Sequence, residues 1–331
     1  MKTNPNSVFA RTGRCCVILF AAVLAPLCAP KPASAWGCKG HQTVALIARM
    51  HLSRHARKAV QKILQDSPIA PKLKRYCDPK DLDPMADGST WPDDIRKERP
   101  EATPWHYIDI PRGTTLENAK SACPAGEGCL TLAIREQIAL LRSADTSPQK
   151  RAEALRFLVH FVGDLHQPLH DTTNNDQGGN CVPVTWFGKP PAITDPVKES
   201  YRPNLHGVWD TDIVERMSTG QNSAQLARGL DVAFHSKMKS WKKARTDVDA
   251  WAWEGFQLAE HVVYGKLPHT IPIEVFQPVQ QCSDADHISA RMLKLNEQLD
   301  APYFEAVSPV VREQLAKAGL RLAMLLNEIW R

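Results

Sequence analysis

Residues 148–170 read Pro-Gln-Lys-Arg-Ala-Glu-Ala-Leu-Arg-Phe-Leu-Val-His-Phe-Val-Gly-Asp-Leu-His-Gln-Pro-Leu-His. From Leu155 to Leu165 apolar side chains cover almost the whole circumference of a helix, and a helix that is apolar all round is buried. His160 and Asp164 interrupt the run, and they lie one turn apart on the same face. The stretch predicts a core helix that carries two polar side chains into the protein interior.

These two polar side chains require a compensating group. His160 alone could be an ordinary core histidine with a hydrogen-bond partner. A buried carboxylate such as Asp164 is costly unless a cation compensates its charge, and a metal ion would do so. At one-turn spacing both side chains can bind one ion, and His170, just beyond Pro168, can reach a neighbouring ion. The stretch therefore also indicates a metal site.

A second pair with the same spacing, His206 and Asp210, lies farther along the chain. One such pair is weak evidence for a metal site. Two pairs, together with His41 on another predicted helix, indicate a cluster of metal ligands. His166 falls off the face of His160, and we interpret it as a solvent-facing group or one that supports a ligand.

Helical patterns dominate the rest of the chain, which predicts an all-α single domain. Amphipathic patterns predict helices over residues 41–52, 53–64, 130–141, 205–217, 223–244, 250–264, 284–299 and 303–330. An irregular stretch rich in Pro and Asp runs from residue 67 to residue 114, and such a long loop inside a domain is usually functional. Residues 182–187 are the convincing strand-like run and suggest a small β-hairpin.

The N-terminal residues have the organisation of a signal peptide. A positive region with Lys2, Arg11 and Arg14 precedes an apolar run and a cleavage site, Ala33-Ser34-Ala35. The apolar run is shorter than the roughly 20 residues of a membrane span. We therefore expect residues 1–35 to be a signal peptide that is cut between Ala35 and Trp36, and residues 36–331 to be the functional domain.

Removal of this leader changes the net charge and exposes an amine. The leader holds four basic residues and no acid, so the formal charge falls from +5 to +1. A near-neutral body argues against a sequence-reading DNA-binding protein, which normally carries a basic stripe. The cut would also give Trp36 a free α-amine, and an amine with the adjacent carbonyl can chelate a metal ion. Its ordinary pKa of about 7.7–8.0 allows zinc to displace the proton at neutral pH.

Six cysteines follow the leader, and this even number favours disulfides in an oxidising compartment: Cys38, Cys77, Cys123, Cys129, Cys181 and Cys282. A local bridge between Cys123 and Cys129 could close the tight loop that they flank. The other pairings stay open, and free buried thiols are the alternative. The expected location is periplasmic or secreted.

Taken together, the motifs resemble those of the class I nucleases, the zinc-dependent and single-strand-preferring S1/P1 family of fungi, plants and bacteria. The resemblance covers residues 36–331, and six motifs carry it in this order: Trp36-Gly-x-x-Gly-His41, Trp91-x-Asp93-x-x-Arg96, Trp105-His106-Tyr107-Ile108-Asp109, His160-x-x-x-Asp164 through Gln167-Pro168-Leu169-His170, Gly178-Gly179-Asn180, and Asn204-Leu205-His206-x-x-x-Asp210. All nine ligand positions of the family carry the expected residue type. The resemblance implies a mostly helical fold of the phospholipase C/nuclease type.

The resemblance further implies three Zn²⁺ ions in one cleft. The first ion would be held by Asp93, His106, His160 and Asp164. Asp164 would bridge to the second ion, whose other ligands are His41 and the amine and carbonyl of Trp36. The third would be held by His170, His206 and Asp210. Imidazole and carboxylate ligands suit zinc and leave positions open for water and phosphate.

Roles in catalysis follow from the same resemblance. Asp93, Arg96 and Asp164 would be catalytic, with Arg96 stabilising the pentacoordinate phosphate unless it makes only an ordinary surface salt bridge. Two zinc ions lower the pKa of a shared water towards about 7, so no side-chain general base is needed. Tyr107 would stack on a nucleobase, unless it is a core residue, and Asp109 would hydrogen-bond the base. Asn180 would donate to the phosphate.

The implied activity is endonucleolytic hydrolysis of single-stranded DNA and RNA to 5′-phosphorylated products, with 3′-nucleotides as further substrates. A stiff duplex cannot splay a base at the cleft edge without unstacking it, which accounts for the single-strand preference. We expect no stable membrane association and no required protein partner.

Two other functions fit part of the pattern. Zinc-dependent phospholipases C share the fold, the N-terminal tryptophan and much of the ligand set. The short spacing from Trp36 to His41, and Asp210 where the phospholipases carry Glu, favour the nuclease. A periplasmic zinc-binding protein fits the ligands but does not account for Arg96, Tyr107 and Asp109.

Overall fold

Helices form most of the described chain. The computed structural model describes residues 36–77, 83–119, 122–123 and 128–331, and the expected signal peptide lies outside them. The α-helices in chain order are α1 (Gly37–His51), α2 (Arg54–Asp66), α3 (Pro84–Gly88), α4 (Trp91–Asp94), α5 (Leu116–Ala119), α6 (Leu130–Arg142), α7 (Pro148–Asp164), α8 (Leu205–Gly207), α9 (Ile213–Met217), α10 (Ser223–Trp241), α11 (Val248–Leu258), α12 (Asp284–Leu295) and α13 (Ala301–Ile329). The mostly helical fold expected from the sequence is confirmed.

The core helix α7 begins and ends as its sequence predicts. The Ser147 hydroxyl accepts a hydrogen bond from the Lys150 N–H, and Pro148 takes the first helical position, where no N–H is needed. Every residue from Ala154 to Asp164 is buried. The helix packs against α6, α13 and α2, so that His160 and Asp164 lie inside the protein.

Helix α1 brings the N-terminal motif to the same interior. It packs mainly against α13 and α10, and its first half, including His41, is buried. Trp36 precedes the helix with a left-handed backbone (φ 40°), and its side chain is fully buried. The ring of His41 stacks on the ring of His160 with 3.9 Å between centroids, which fixes the position of α1 against α7.

The strands depart from the sequence-based expectation. They are β1 (Val184–Trp186), β2 (Ala192–Asp195), β3 (Ser200–Arg202) and β4 (Glu297–Leu299). The run at 182–187 does contain a strand, but β1 pairs in parallel with β4, and the hairpin is formed by β2 and β3. The helix expected over 284–299 was therefore too long, because its last residues leave α12 through a left-handed Asn296 and form β4.

Short helical elements that the sequence patterns do not predict occur in two segments, residues 67–114 and residues 205–217. The first contains α3, α4 and a 3₁₀-helix at Pro100–His106, which carry Asp93 and His106. In the second, a π-helical turn at Val208–Asp212 joins α8 to α9. Such turns widen the helix and are frequent at functional sites, and this one carries Asp210.

The six cysteines form three disulfides, Cys38–Cys77, Cys123–Cys129 and Cys181–Cys282. The expected local bridge is confirmed, and the alternative of free thiols is wrong. Cys38 pairs outside the N-terminal motif. Among the described residues, no helix is both long and apolar enough to cross a membrane.

Candidate metal centre

Three of the buried histidines expected to bind metal have their rings oriented in the same way. In each, ring atom Nδ1 lies within hydrogen-bond distance of a backbone carbonyl. The acceptors are Ser89 O for His160 at 2.7 Å, His106 O for His170 at 2.6 Å and Gly178 O for His206 at 2.7 Å. A proton on Nδ1 leaves the Nε2 lone pair for a metal ion, and this arrangement is typical of metal-ligating histidines.

Asp164 lies at the centre of the first cluster and directs its two oxygens to different partners. Its Oδ1 is 3.3 Å from Nε2 of His41. Its Oδ2 is 3.0 Å from Nδ1 of His106 and 3.3 Å from Nε2 of His160. The carboxylate is fully buried, so it can connect two ion positions that are screened from water.

Asp93 and Arg96 close one side of this cluster. Oδ1 of Asp93 is 3.7 Å from Nε2 of His160 and 2.9 Å from Nη2 of Arg96. The facing ring nitrogens of His106 and His160 are only 3.1 Å apart. A short distance between two imidazole nitrogens beside two carboxylates is the geometry of ligands that converge on one cation.

A separate group forms where the end of α7 meets the π-helical turn. Nε2 of His206 is 3.2 Å from Oδ2 of Asp210, and Nε2 of His170 is 3.8 Å from Oδ1 of Asp210. Gln167 donates to Oδ1 of Asp210 at 2.6 Å and so fixes the carboxylate. The three side chains are buried and face one another.

Within the described ranges, three groups of side chains could each hold a metal ion: His41 with His160 and Asp164, Asp93 with His106 and His160, and His170 with His206 and Asp210. In each group the ligand atoms lie within 4.8 Å of one another. Two buried atoms of these groups, Oδ1 of Asp164 and Nε2 of His170, make no hydrogen bond to the described chain. Buried polar atoms are normally satisfied, so these atoms fit a bound cation.

The pKa values follow from burial and from the closeness of like charges. Burial, with the charges of Arg96 and neighbouring histidines, lowers the pKa of His106 well below its ordinary value, and burial lowers that of His170 to about 3. Burial and Asp93 raise the pKa of Asp164 well above its ordinary value. The imidazoles of His106 and His170 are therefore neutral, as metal ligands must be. A cation beside Asp164 would stabilise its charged form.

The pair of His206 and Asp210 behaves differently. Burial lowers the pKa of His206, but Asp210 outweighs burial, and the net pKa is raised. Burial raises the pKa of Asp210, but His206 outweighs it, and the net pKa is lowered. The two side chains thus form an ion pair without a metal, and a metal ion that binds there would displace the proton on His206.

Trp36 lies where the sequence places it, beside His41. The His41 N–H donates to the carbonyl of Trp36 at 3.2 Å. Gly163 on α7 permits this approach, because a Cβ there would be 2.8 Å from Nδ1 of His41 and 3.8 Å from Cδ1 of Trp36. The N-terminal motif therefore packs against the helix that ends in Asp164.

Comparison with known proteins agrees with this geometry. The profile of the S1/P1 nuclease family matches residues 36–331. The chain belongs to the S1/P1 nuclease family. It is 28% identical to Nuclease P1 of Penicillium citrinum over 316 residues, which cover 89% of this chain and 97% of that protein. It is 27% identical to Nuclease S1 of Aspergillus oryzae over 309 residues, 89% and 91% of the two chains. It is also 27% identical to Endonuclease 2 of Arabidopsis thaliana over 313 residues, 89% and 90% of the two chains.

Membership of the S1/P1 nuclease family supports a hydrolase that acts on nucleic acids, and the three groups of side chains fit a metal-dependent enzyme.

Asn180 is the residue that the sequence analysis expects to donate to the phosphate. The amide of Asn180 donates to the carbonyl of Gln177 at 2.9 Å. The loop that contains Asn180 instead supports the group formed by His170, His206 and Asp210. The carbonyl of Gly178 accepts a hydrogen bond from Nδ1 of His206, and the carbonyl of Gly179 accepts one from the backbone N–H of His206.

Gly178 itself shows why this S1/P1 nuclease needs glycine in that loop. Its φ is +57°, and a Cβ there would lie 2.2 Å from the carbonyl oxygen of Leu169. Any side chain would displace the loop from the residues that precede His170. The carbonyl of Gly178 would then no longer hold the ring of His206.

The two residues expected to bind a base, Tyr107 and Asp109, differ in exposure. Tyr107 is 38% exposed, so the alternative that it is a core residue is wrong. Asp109 is partly buried, and burial together with Asp176 raises its pKa to about 7. At neutral pH this carboxyl group can therefore either donate or accept a hydrogen bond.

Sequence reasoning missed the supporting groups of this S1/P1 nuclease. The carbonyl of Ser89 and the amide of Gln167 hydrogen-bond to the candidate ligands His160 and Asp210, yet every residue has a carbonyl and glutamines are common, so no sequence pattern identifies them. His166 is fully buried, not solvent-facing: Nδ1 donates to the carbonyl of Val162, and Nε2 accepts from Arg321 at 2.9 Å.

Proposed function

We propose that the protein is an exported, trinuclear-zinc phosphodiesterase that cleaves single-stranded DNA and RNA. Its products would carry 5′-phosphates, and 3′-nucleotides would be further substrates. The observation that carries the proposal is the carboxylate of Asp164, which directs one oxygen to His41 and the other to His106 and His160. A fully buried carboxylate with two sets of facing ligands is suited to join two metal ions beside a reacting phosphate.

The proposed zinc sites follow the three groups of ligands. Asp93, His106 and His160 bind the first ion with Asp164, and His170, His206 and Asp210 bind the third. Asp164 and His41 bind the second ion together with the amine and carbonyl of Trp36. Bound zinc supplies two things, a water whose pKa falls towards about 7 and positive charge for the phosphate and the leaving oxygen.

The side chains of this chain would then position and stabilise the substrate. Arg96 is paired with Asp93, which directs its guanidinium towards the ligand cluster, and it would bind phosphate oxygens whose charge grows in the transition state. The exposed ring of Tyr107 would stack on a nucleobase, and Asp109 would hydrogen-bond that base. Stacking tolerates every base, which is consistent with low sequence specificity. Asn180 would donate to the phosphate through the second hydrogen of its amide nitrogen, since the first is donated to the carbonyl of Gln177.

A single strand fits this arrangement better than a duplex. The ligand atoms are buried, while Tyr107 lies at the exposed edge, so the backbone must enter the cleft while a base turns aside onto the ring. Unstacking a paired base costs a few kcal/mol, and a strand without a partner avoids most of that cost.

One assay with several substrates tests the proposal. Purified protein is incubated with a single-stranded DNA, the same sequence as RNA and as duplex DNA, a 3′-mononucleotide and phosphatidylcholine vesicles. We expect cleavage of both single strands with 5′-phosphate ends, release of phosphate from the mononucleotide, and slower cleavage of the duplex. Hydrolysis of phosphatidylcholine without cleavage of nucleic acid would make the protein a phospholipase C. Bound metal without turnover of any phosphodiester would make it a zinc-binding protein.

Export and processing are part of the same proposal. We expect N-terminal sequencing of the exported protein to begin at Trp36 and metal analysis to find three zinc ions per chain. An extension of one residue before Trp36 would convert the amine to an amide, which is a poor metal ligand, and would weaken the second site. Full activity and three bound zinc ions in a protein with an uncleaved extension would contradict the role of the amine.

A further inference from the structure

A surface groove, the basic groove, lies where the last turns of α1 meet α2 and α10. Its volume is about 270 Å³, and one guanidinium group from each helix lines it: Arg49 from α1, Arg57 from α2 and Arg228 from α10. A second cavity adjoins it, since Arg49 and Arg57 line both. Guanidinium groups that share one space repel one another, and an anion between them relieves the repulsion.

The arginines of the basic groove keep N–H donors available to a ligand. Nη2 of Arg57 donates to the backbone carbonyl of Arg49 at 3.0 Å, which holds the side chain by one of its five donors. Arg228 makes no hydrogen bond or ion pair to the part of the chain that the structure describes. Nε of Arg49 is 3.1 Å from Oδ2 of Asp83, on the wall of the second cavity. Arg57 and Arg228 are therefore the two cations that can bind an anion.

The helices around the basic groove add positive charge. Helix α2 contains four basic residues against one acidic residue: Arg54, Arg57, Lys58 and Lys62, with Asp66. Lys62 pairs with Asp66 at 2.8 Å, and Asp231 of α10 is 2.6 Å from Nε2 of His51. Because the formal charge of residues 36–331 is only +1, this face concentrates positive charge locally. Such a face attracts a polyanion.

Apolar side chains lie between the guanidinium groups. Leu46 and Ala227 are recessed, and Met50 is 39% exposed beside them. A free phosphate has no use for an apolar surface, whereas the bases of an unpaired strand can pack on apolar side chains and guanidinium planes. A membrane would require a protruding apolar face, and most of the apolar side chains in this groove are recessed. The chemistry therefore favours single-stranded nucleic acid as the occupant.

The basic groove and the candidate metal centre share helix α1. Arg49 follows His41 by eight residues, which corresponds to about 12 Å along the helix axis. Leu46 and Met50 lie on a different side of the helix from His41. A mononucleotide at the metal centre therefore does not reach the basic groove, whereas a longer strand can pass round the helix and contact both places.

We propose that the basic groove is an accessory binding site for single-stranded nucleic acid, in which Arg57 and Arg228 bind phosphates of a strand that is also held at the metal centre. The proposal rests on the proposed function, because the occupant of the groove is the substrate of that function. It adds that the protein binds long strands more tightly than short ones.

The variant Arg57→Gln/Arg228→Gln tests the site, because glutamine removes both charges and keeps part of each apolar stem. For a single-stranded DNA of about 30 nucleotides, longer than a typical single-strand site, we expect the KM to rise about tenfold. For a 3′-mononucleotide we expect wild-type KM and kcat. The zinc content should be unchanged, since neither arginine belongs to a group of candidate ligands.

The matched control is Arg142→Gln/Arg245→Gln. It removes the same charge at two exposed arginines, one at the end of α6 and one after α10, and neither lines the basic groove. We expect wild-type kinetics on both substrates. A rise in KM equal to that of Arg57→Gln/Arg228→Gln would show a general effect of net charge and would overturn the site.

Stopped-flow fluorescence anisotropy with a labelled strand of the same length measures binding before cleavage, so this result does not depend on turnover. Loss of two phosphate contacts should lower the slope of log Kd against log salt concentration by about 1.4. An unchanged slope and affinity in Arg57→Gln/Arg228→Gln would overturn the proposal. So would an equal loss on the mononucleotide, because the effect would then lie at the metal centre.

Two further outcomes separate the accessory site from its alternatives. Binding to phosphatidylglycerol vesicles that is lost in Arg57→Gln/Arg228→Gln, with unchanged binding of the strand, would make the basic groove a membrane site instead. If the wild type cleaves no phosphate ester but binds the strand through Arg57 and Arg228, the proposed function is wrong and the accessory site stands. If the wild type binds no strand, both are wrong.

Discussion

At the scale of single residues, Asp164 is both a buried residue of the core and the central residue of the candidate metal centre. It is the last residue of the core helix α7, and its burial raises its pKa well above the ordinary value. A helix of this kind would be more stable with an apolar residue there, because an uncompensated buried carboxylate costs several kcal/mol. A cation beside Asp164 would offset the cost of burying its charged form.

We predict that Asp164→Asn removes metal and activity together. The amide has the same shape but no charge, so it cannot compensate two cations, and we expect a loss of more than about 100-fold in activity. Metal analysis should find fewer zinc ions per chain. Asp249→Asn, at an exposed position of α11, is the control and should retain both. Full activity with a normal zinc content in Asp164→Asn would defeat the assignment.

His166 gives a prediction about pH. Burial and the nearby Arg321 lower its pKa to about 3, whereas an unfolded histidine has a pKa of about 6.5. As the pH falls below about 6.5, the unfolded chain gains a proton that the folded chain does not accept, and stability decreases. Glu254, which pairs with the same Arg321, does not add to this effect. Burial raises its pKa, but Arg321 and Lys317 outweigh burial and lower the pKa to about 2, so its contribution to the free energy of unfolding is constant above about pH 5.

The test compares the wild type with His166→Gln, which does not titrate. Between pH 7 and pH 5 the wild type should lose about 2 kcal/mol more of its free energy of unfolding than the variant. Denaturant unfolding at both pH values measures the difference. A constant gap between the two proteins would show that folding does not lower the pKa of His166.

At the scale of elements, the contact between α1 and α7 builds the centre. A Cβ at Gly163 on α7 would lie 2.8 Å from Nδ1 of His41 on α1, and the ring of His41 stacks on that of His160. A glycine inside a helix costs about 1 kcal/mol relative to alanine. Its presence in α7 is therefore explained by the space that the His41 ring needs.

We predict that Gly163→Ala lowers both stability and zinc affinity. The new methyl group would lie 2.8 Å from Nδ1 of His41, and such overpacking costs about 1–3 kcal/mol. Gly229→Ala on α10 is the matched control, because nothing lies within 4 Å of its Cβ position, and it should stabilise the protein by about 0.4–1 kcal/mol. Thermal unfolding and zinc titration measure both effects. Equal behaviour of the two variants would contradict the role of Gly163.

At the scale of the whole molecule, the disulfides connect distant parts of the chain. Cys181–Cys282 closes a loop with a sequence separation of 101, and Cys123–Cys129 one of 6. The first follows the loop that holds His206, and the second precedes α6. By loop entropy the long bridge contributes about 4.7 kcal/mol and the short one about 2 kcal/mol.

We therefore predict that Cys181→Ser/Cys282→Ser lowers the free energy of unfolding by about twice as much as Cys123→Ser/Cys129→Ser. Denaturant unfolding of both variants, with zinc present, measures the two losses. A larger loss from the short bridge would mean that native-state contacts, not the entropy of the unfolded chain, set the contribution of these disulfides.

Local patterns were sufficient for the long helices and for two of the candidate ligand pairs. The period of the apolar residues identifies α7, and one-turn spacing selects His160 with Asp164 and His206 with Asp210, because both depend on residues close in sequence. The strand β1 shows the limit. Its run of residues predicts an extended segment, but its partner β4 lies more than 100 residues away, and no local signal specifies a parallel pairing at that distance.

The sequence by itself determined the mostly helical class, the family and the residue types that could hold metal, since these are recorded in periodicity, spacing and motifs. Only the tertiary structure decided that the two oxygens of Asp164 face different ligand groups, that the carbonyls of Ser89, His106 and Gly178 orient the histidines, and that Cys38 pairs with Cys77. These are distances between atoms on separate elements. They arise from helix packing and chain closure, and side-chain spacing along the sequence does not encode them.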